Sequence, residues 1–333
     1  TPINGQYGVD KWRNGLSAAS KFSVQKTPST TETGYETRVG AGFINYLAAT
    51  SLSAYSVGAS EVFLVSQYVE GYNMADLVWG TANAKTVTLS FWVRSSLTGT
   101  FGGAFQNLDR NRCFPFSYTI SVANTWEQKT ITVAGDTSGT WETTNGLGVQ
   151  IHFSLGVGST YNGAAGAWAG ASHYSATGAT SVVGTSGATW YITGVQLEVG
   201  EQASDFENLQ YGTQLALCQR YYQKSYAQGT VPGANITSSF NEAVVLGGWG
   251  SENVAKLFTA EHKIPLRPGT QSLSFWDMAG NASTLSSFDN GFTRTDNRSP
   301  TGGNAISENR HYVAPGTSTY NAYAWAYAIS SEL

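Results

Sequence analysis

The sequence predicts an all-β protein, on three observations. Charged residues are only 12% of the 333 residues, about half the usual share, and Ser, Thr, Asn and Gly fill their places. Aromatics reach 13%, with 10 Trp and 18 Tyr. Straight-chain charged residues favour helices, whereas Thr, Val, Tyr and Trp favour pleated surfaces. Several segments also alternate apolar and polar residues with the period of two of half-buried strands.

The length suggests two domains, each able to bury a core without metal or disulfide help. Residues 1–59 read as loop and short strand. Within them, the segment KFSVQK alternates weakly, with Phe22 and Val24 on one face. The chain from 61 to 69 is apolar on both faces at several positions, as a deeply buried strand would be. TVTLSFWVR places Val87, Leu89, Phe91 and Val93 on one face and Thr88, Ser90, Trp92 and Arg94 on the other. Residues 116–122 and 126–133 supply further candidates. GVQIHFSLG sends Val149, Ile151, Phe153 and Leu155 inward and Gln150, His152 and Ser154 outward. Residues 189–199 alternate in the same way. Strands separated by turn residues predict an antiparallel sandwich.

The texture then changes. TQLALCQRYYQKSY has Leu217, Arg220, Tyr221 and Lys224 at helical spacing, and the Thr213 hydroxyl is placed to cap an orphan N–H. This predicts a linking helix over 207–226. Residues 227–333 resume the β pattern, with candidate strands at 242–246, 254–260 and 271–276 and a loop-rich stretch over 283–303. AYAWAYAI places Tyr323, Trp325, Tyr327 and Ile329 on one face and Ala322, Ala324, Ala326 and Ala328 on the other. Such a strand packs closely on both faces, its Ala face against another sheet or another subunit. No fixed-period repeat marks a β-helix, propeller or collagen-like shaft.

The formal net charge is −4 and no Lys/Arg run stands out, which argues against nucleic acid as a partner. No apolar stretch is long enough to span a bilayer, so membrane insertion is not expected. The first ten residues lack signal-peptide features. With no initiator Met, the chain reads as processed or as part of something longer. Cys113 and Cys218 form no CxxC and read as free, packed thiols, although a bridge between them stays open. Asn235 and Asn281 match the glycosylation sequon by chance in so Asn/Ser/Thr-rich a chain.

His152, His173, His262 and His311 match no spaced metal motif, and no phosphate-cradling or nucleophile-elbow motif occurs. The 22 carboxylates offer pairs such as Glu198 with Asp205, or Asp109 with Asp136, for glycoside chemistry; each reads more simply as surface charge. No cofactor is expected. A structural Ca²⁺ held by loop oxygens is the one ion the sequence leaves open.

The polar strand faces are the better candidates. Trp92, Gln150 and His152 project outward by alternation. Sugars stack their C–H faces on flat aromatic rings and bond amides and imidazoles through hydroxyls. Trp141, Tyr161, Trp168 and Tyr174 lie in Gly-rich loops and would wall such a platform. The plainer reading is that these aromatics pack beneath loops or at subunit contacts.

The most specific segment is WYITGVQLEVGEQASDFENLQYGTQLALCQRYY, from Trp190 to Tyr222. It resembles a module of tailed-phage fibre and spike structural proteins, in which a strand like ITGVQLE is followed by an acidic-aromatic link like DFE and a helix like QLALCQRYY. The upstream stretches TVTLSFWVRSS, NTWEQKTITVAGDTSGTW and GVQIHFSLGVGSTY resemble the same family, so the likeness covers most of residues 86–222. It implies a carbohydrate-binding-module-like jelly-roll sandwich over residues 1–206, the linking helix, and a smaller C-terminal β-sandwich over 227–333 forming a tip or assembly domain. It also implies a virion location, a homotrimer and other virion proteins as partners; it does not imply a catalytic site, and none is expected. Val195, Leu197, Leu215, Leu217 and Tyr221 are then packing residues. The expected function is attachment to a host cell-surface polysaccharide. A structural or decorating fibre without a ligand stands second, and a tailspike-like glycan hydrolase third.

Overall fold

In TVTLSFWVR the four inward residues are sealed from solvent, as the alternation requires: Val87, Leu89, Phe91 and Val93 are at most 1% exposed. The computed structural model describes residues 7–9, 11–31, 43–238, 240–247, 255–289, 293–300, 304–317 and 322–332. The protein is all-β with a single described α-helix, and its chain forms two compact units, residues 1–208 and 209–332.

The first unit contains strands β1 (Tyr7–Val9), β2 (Trp12–Leu16), β3 (Phe22–Pro28), β4 (Asn45–Ser51), β5 (Val62–Glu70), β6 (Val87–Ser95), β7 (Gly99–Gln106), β8 (Cys113–Ile120), β9 (Glu127–Val133), β10 (Leu147–Val157), β11 (Asn162–Gly163), β12 (Ser175–Ala176) and β13 (Thr189–Val199). One sheet runs β1-β2-β5-β10-β7-β8 and the other β3-β4-β13-β6-β9. From β4 onward the chain winds as a jelly roll. The first, eighth, third and sixth of its eight long strands lie side by side in one sheet. The second, seventh, fourth and fifth lie side by side in the other. Every pairing within these two sheets is antiparallel. The inner faces share one apolar core that includes Phe63, Phe91, Phe101, Phe105, Phe153 and Trp190.

One expectation for this unit needs correction, and one strand was not anticipated. Residues 1–59 are more than connection: β2, β3 and β4 are integral strands, and β4 pairs with both β3 and β13. Its sequence, NYLAATS, is Ala-rich and carries little strand signal. The strand β7, GTFGGAFQ, also escapes the pattern, because its glycines interrupt the alternation. Gly103 is needed there, since a Cβ would lie 2.2 Å from the His152 carbonyl oxygen.

The second unit begins with helix α1 (Tyr211–Gln219) and strand β14 (Tyr222–Lys224). The expected helix over 207–226 is therefore shorter. Thr213 lies inside it, while the residue before it, Gln210, makes no side-chain cap. Tyr222, Gln223 and Lys224 leave the helix to pair with the last strand, so sheet pairing overrides their helical spacing. Leu217, read as packing, is 48% exposed. The unit continues with β15 (Val244–Gly247), β16 (Ala255–Glu261), β17 (Ser272–Trp276), β18 (Leu285–Phe288), β19 (Arg294–Arg298), β20 (Asn304–Ile306), β21 (Arg310–Thr317) and β22 (Ala322–Ser330). Strands β18 and β19 correct the loop reading of 283–303.

β22 is the hub of this unit. It pairs with β14, β15, β17 and β18, all antiparallel. Its large face (Tyr323, Trp325, Tyr327, Ile329) packs with Leu266, Phe275, Leu285 and Val313, joining this sheet to a three-stranded sheet β16-β21-β20. Its small face is covered within the unit: Ala324 and Ala326 pack with Tyr226, Ile236, Met278 and Phe288. Neither cysteine forms a disulfide, and Cys113 is buried and Cys218 half-buried. No described helix is long and apolar enough to cross a membrane.

Candidate functional site

The seven residues singled out in the sequence fall into three places. Gln150 and His152 lie on the outer face of the six-stranded sheet, the opposite side of the sandwich from Trp92. Their expected outward exposure does not hold, since both are 2% exposed. The segment after β10, which contains β11 and β12, roofs this face. Tyr174 sets its ring 5.1 Å from His152 and 5.2 Å from Tyr161. His152 Nδ1 bonds the Ser66 hydroxyl at 2.7 Å, and Gln150 Nε2 donates to the Asn107 carbonyl at 3.1 Å. Burial, aided by the charges of Arg110 and Arg13, drives the His152 pKa down to about 3, so the ring is neutral.

Trp141 and Trp168 form a second group with Trp79. Their ring centroids lie 4.8 to 5.4 Å apart, all edge to face. Each indole N–H donates to a backbone carbonyl: Trp79 to Lys85, Trp141 to Ser138 and Trp168 to Ala134. Beside them Arg112 grips the buried Asp136 through two bonds of 2.6 and 2.7 Å. These rings are a packing cluster that ties loops together.

The third place is the outer face of the five-stranded sheet, reached by the outward positions of β4, β13, β6 and β9. Tyr46 comes from β4, Tyr191 and Thr193 from β13, and Trp92 and Arg94 from β6; Trp126 immediately precedes β9. The Tyr46 ring lies 5.2 Å from Tyr191 and 5.5 Å from Trp126. The Arg94 guanidinium sits 5.3 Å from the Tyr191 ring centroid, held there as Arg94 Nε donates to the Asn124 carbonyl at 3.0 Å. Trp92 stands directly between Thr193 on one neighbour and Gln128 on the other. Tyr46 and Trp126 are buried, Trp92, Tyr191 and Arg94 half-buried, and Gln128 and Thr130 exposed.

This face differs from the Trp cluster in its unengaged polar groups. Among the described residues nothing accepts the Trp92 indole N–H, and the Tyr191 hydroxyl and the Gln128 amide are unbonded. An aromatic face beside free donors and acceptors can stack on a sugar ring and bond its hydroxyls.

The family-like segment frames the face. β13 breaks register between Thr193 and Gln196, with Gly194 at φ +58. A Cβ there would lie 2.8 Å from Phe43 and 3.3 Å from Trp92, so only glycine lets these rings approach. Beyond the bulge, the link folds back on its own strand. Gln196 accepts from the Glu207 N–H at 2.8 Å, and Glu198 accepts from the Ser204 N–H and hydroxyl at 2.8 and 2.6 Å. Those Ser204 bonds hold the Glu198 carboxyl below its usual range. Phe206 packs edge-on to Phe43 at 4.8 Å. Glu198 and Asp136, two of the carboxylates considered for hydrolysis, are thus committed to structural partners.

Tyr191, Thr193, Arg94, Gln128 and Tyr46 complete the face and were not singled out in the sequence. For Tyr191 and Thr193 the signal existed, since the alternation of TWYITGVQLEV puts both on the outward side. Among the described residues no three His, Cys, Asp or Glu side chains are grouped to hold a metal ion.

No protein family description matches the chain, and no curated protein does. Solved structures do overlay on it. The enzymatically active domain of Bacteriophage CBA120 tailspike protein 4 is 12% identical with a TM-score of 0.33; the match covers 59% of this chain and 20% of that one. A Family 11 Carbohydrate-Binding Module from Clostridium thermocellum, in complex with a β-1,3-1,4-mixed-linked tetrasaccharide, is 12% identical with a TM-score of 0.29; 61% and 96% of the two chains are covered. A xylan-binding domain from Paenibacillus barcinonensis is 13% identical with a TM-score of 0.31; 59% and 94% are covered.

Proposed function

We propose that this chain binds a glycan on the outer face of its five-stranded sheet, without cleaving it, as a fibre or spike protein of a tailed phage. One observation carries the binding reading. Trp92 offers a half-buried ring and an unengaged N–H beside the free groups of Tyr191 and Gln128. The virion assignment rests on the resemblance of residues 86–222 to fibre and spike proteins. In this reading the chain is a homotrimer, and several weak sites per particle act together through avidity on a host polysaccharide.

The test compares the unaltered protein with Trp92→Ala and Tyr191→Ala on host cells and on a glycan array. Each substitution is expected to weaken attachment by about tenfold, the loss of one stacking or hydroxyl contact, scored per folded molecule because both rings also pack against Tyr46 and Trp126. Trp168→Ala serves as the contrast: it lowers stability and leaves attachment per folded molecule intact. Equal attachment by all variants would remove the site. Release of oligosaccharide from host polysaccharide would replace the adhesin reading with the hydrolase.

A further inference from the structure

The two sheets of the second unit meet across an apolar core that is crossed by a line of polar atoms. The Trp325 indole Nε1 of β22, fully buried, lies 3.3 Å from His311 Nε2 on β21. His311 Nδ1 lies 3.3 Å from His262 Nε2, just past the end of β16, and His262 Nδ1 lies 3.0 Å from the Glu308 carbonyl. An indole nitrogen only donates and a carbonyl only accepts, so the two ends fix every proton between them. Trp325 donates to His311 Nε2. The His311 proton is therefore on Nδ1, donated to His262 Nε2. The His262 proton is on Nδ1, donated to Glu308. All four ring nitrogens are engaged and both rings are neutral.

No further proton fits without breaking the line. A proton on His311 Nε2 would face the indole N–H, and one on His262 Nε2 would face the His311 N–H. We propose that the Trp325–His311–His262–Glu308 line is an acid-sensitive latch that holds the β16-β21-β20 sheet against β22 at neutral pH and releases it on acidification.

The charges nearby do not offset this. Tyr327 of β22 sets its ring 4.3 Å from His311. Glu261 and Lys263 flank His262, and Glu308 and Arg310 precede His311; all four are exposed, and none of their side chains bonds either imidazole. From β17 and β18 the packed core residues are the apolar Leu273, Phe275 and Leu285. Burial, with His262 opposing a second positive charge, pushes the His311 pKa down to about 4, and burial lowers His262 as well. Since the folded values lie below the ordinary 6.5, the latch contributes fully above about pH 6.5 and weakens as pH falls toward 4.

Two measurements on the full chain test this. Nitrogen NMR of the imidazoles at neutral pH should show the Nδ1–H tautomer on both His262 and His311; an Nε2–H tautomer on either ring overturns the latch. Hydrogen exchange should show protection in β21 and β22 falling by several tens of fold between pH 6.5 and 4.5, approaching the limit of about tenfold per pH unit for one coupled proton. His311→Phe should abolish that fall. The readout is confined to residues 209–332 because buried His152 gives the first unit an acid dependence of its own. An equal fall in His311→Phe overturns the proposal. So does ordinary titration of either histidine with the strands still protected. If the variant does not fold, the tautomers of the unaltered protein decide.

Discussion

Trp92 and Trp168 are the same side chain on the same sandwich, and the indole nitrogen separates them. Trp168 spends its N–H on a carbonyl and its ring on two other tryptophans, whereas Trp92 keeps its N–H free. Gly194 is the residue that makes the Trp92 face. Its φ of +58 and the 2.8 Å approach of Phe43 predict that Gly194→Ala destabilises the first unit by about 1–3 kcal/mol, read by denaturant unfolding. The same change should weaken glycan attachment, because the new methyl pushes on Trp92. Alternation made Trp92 legible in the sequence, as it did the inward faces of β6 and β10. It misled for Gln150 and His152, because period two says which face a residue takes and nothing of what lies over that face. A roof that arrives from later in the chain is a tertiary fact, and its Gly- and Ser-rich sequence carries no periodic sign of where it lands.

Among elements, β22 and α1 are opposites. β22 was readable at once, with aromatics on one face and alanines on the other, and both faces are buried. Trp325→Ala should cost about 3–5 kcal/mol, since it empties a fully buried ring site and strips His311 of its donor. Denaturant unfolding followed by hydrogen exchange should show that loss in residues 209–332 alone. The helix was readable only in part. α1 buries none of its residues and has no side-chain cap. Local spacing extended it to residue 226, but Tyr222, Gln223 and Lys224 gain more from pairing with β22 than from another helical turn. β4 and β7 failed for a different reason. Their Ala and Gly residues are weak strand formers, held in place by neighbours on both sides.

At the scale of the molecule, the first unit closes on itself. β13 completes the jelly roll by inserting between β4 and β6, and among the described residues its buried core comes from residues 12–192. A chain ending at residue 208 should therefore fold and bind glycan as the longer chain does, checked by circular dichroism and the same array; failure to fold would mean the units depend on each other. The second unit has a different logic. Among the described strands, β14, β15 and β17 have no sheet partner except β22, and β22 follows all of them in sequence. During synthesis those strands must wait on the ribosome with bare edges, exposed to neighbouring chains, until the hub emerges. Structure in this unit then forms late and in one cooperative step, which makes it the part of a nascent chain with most need of a chaperone.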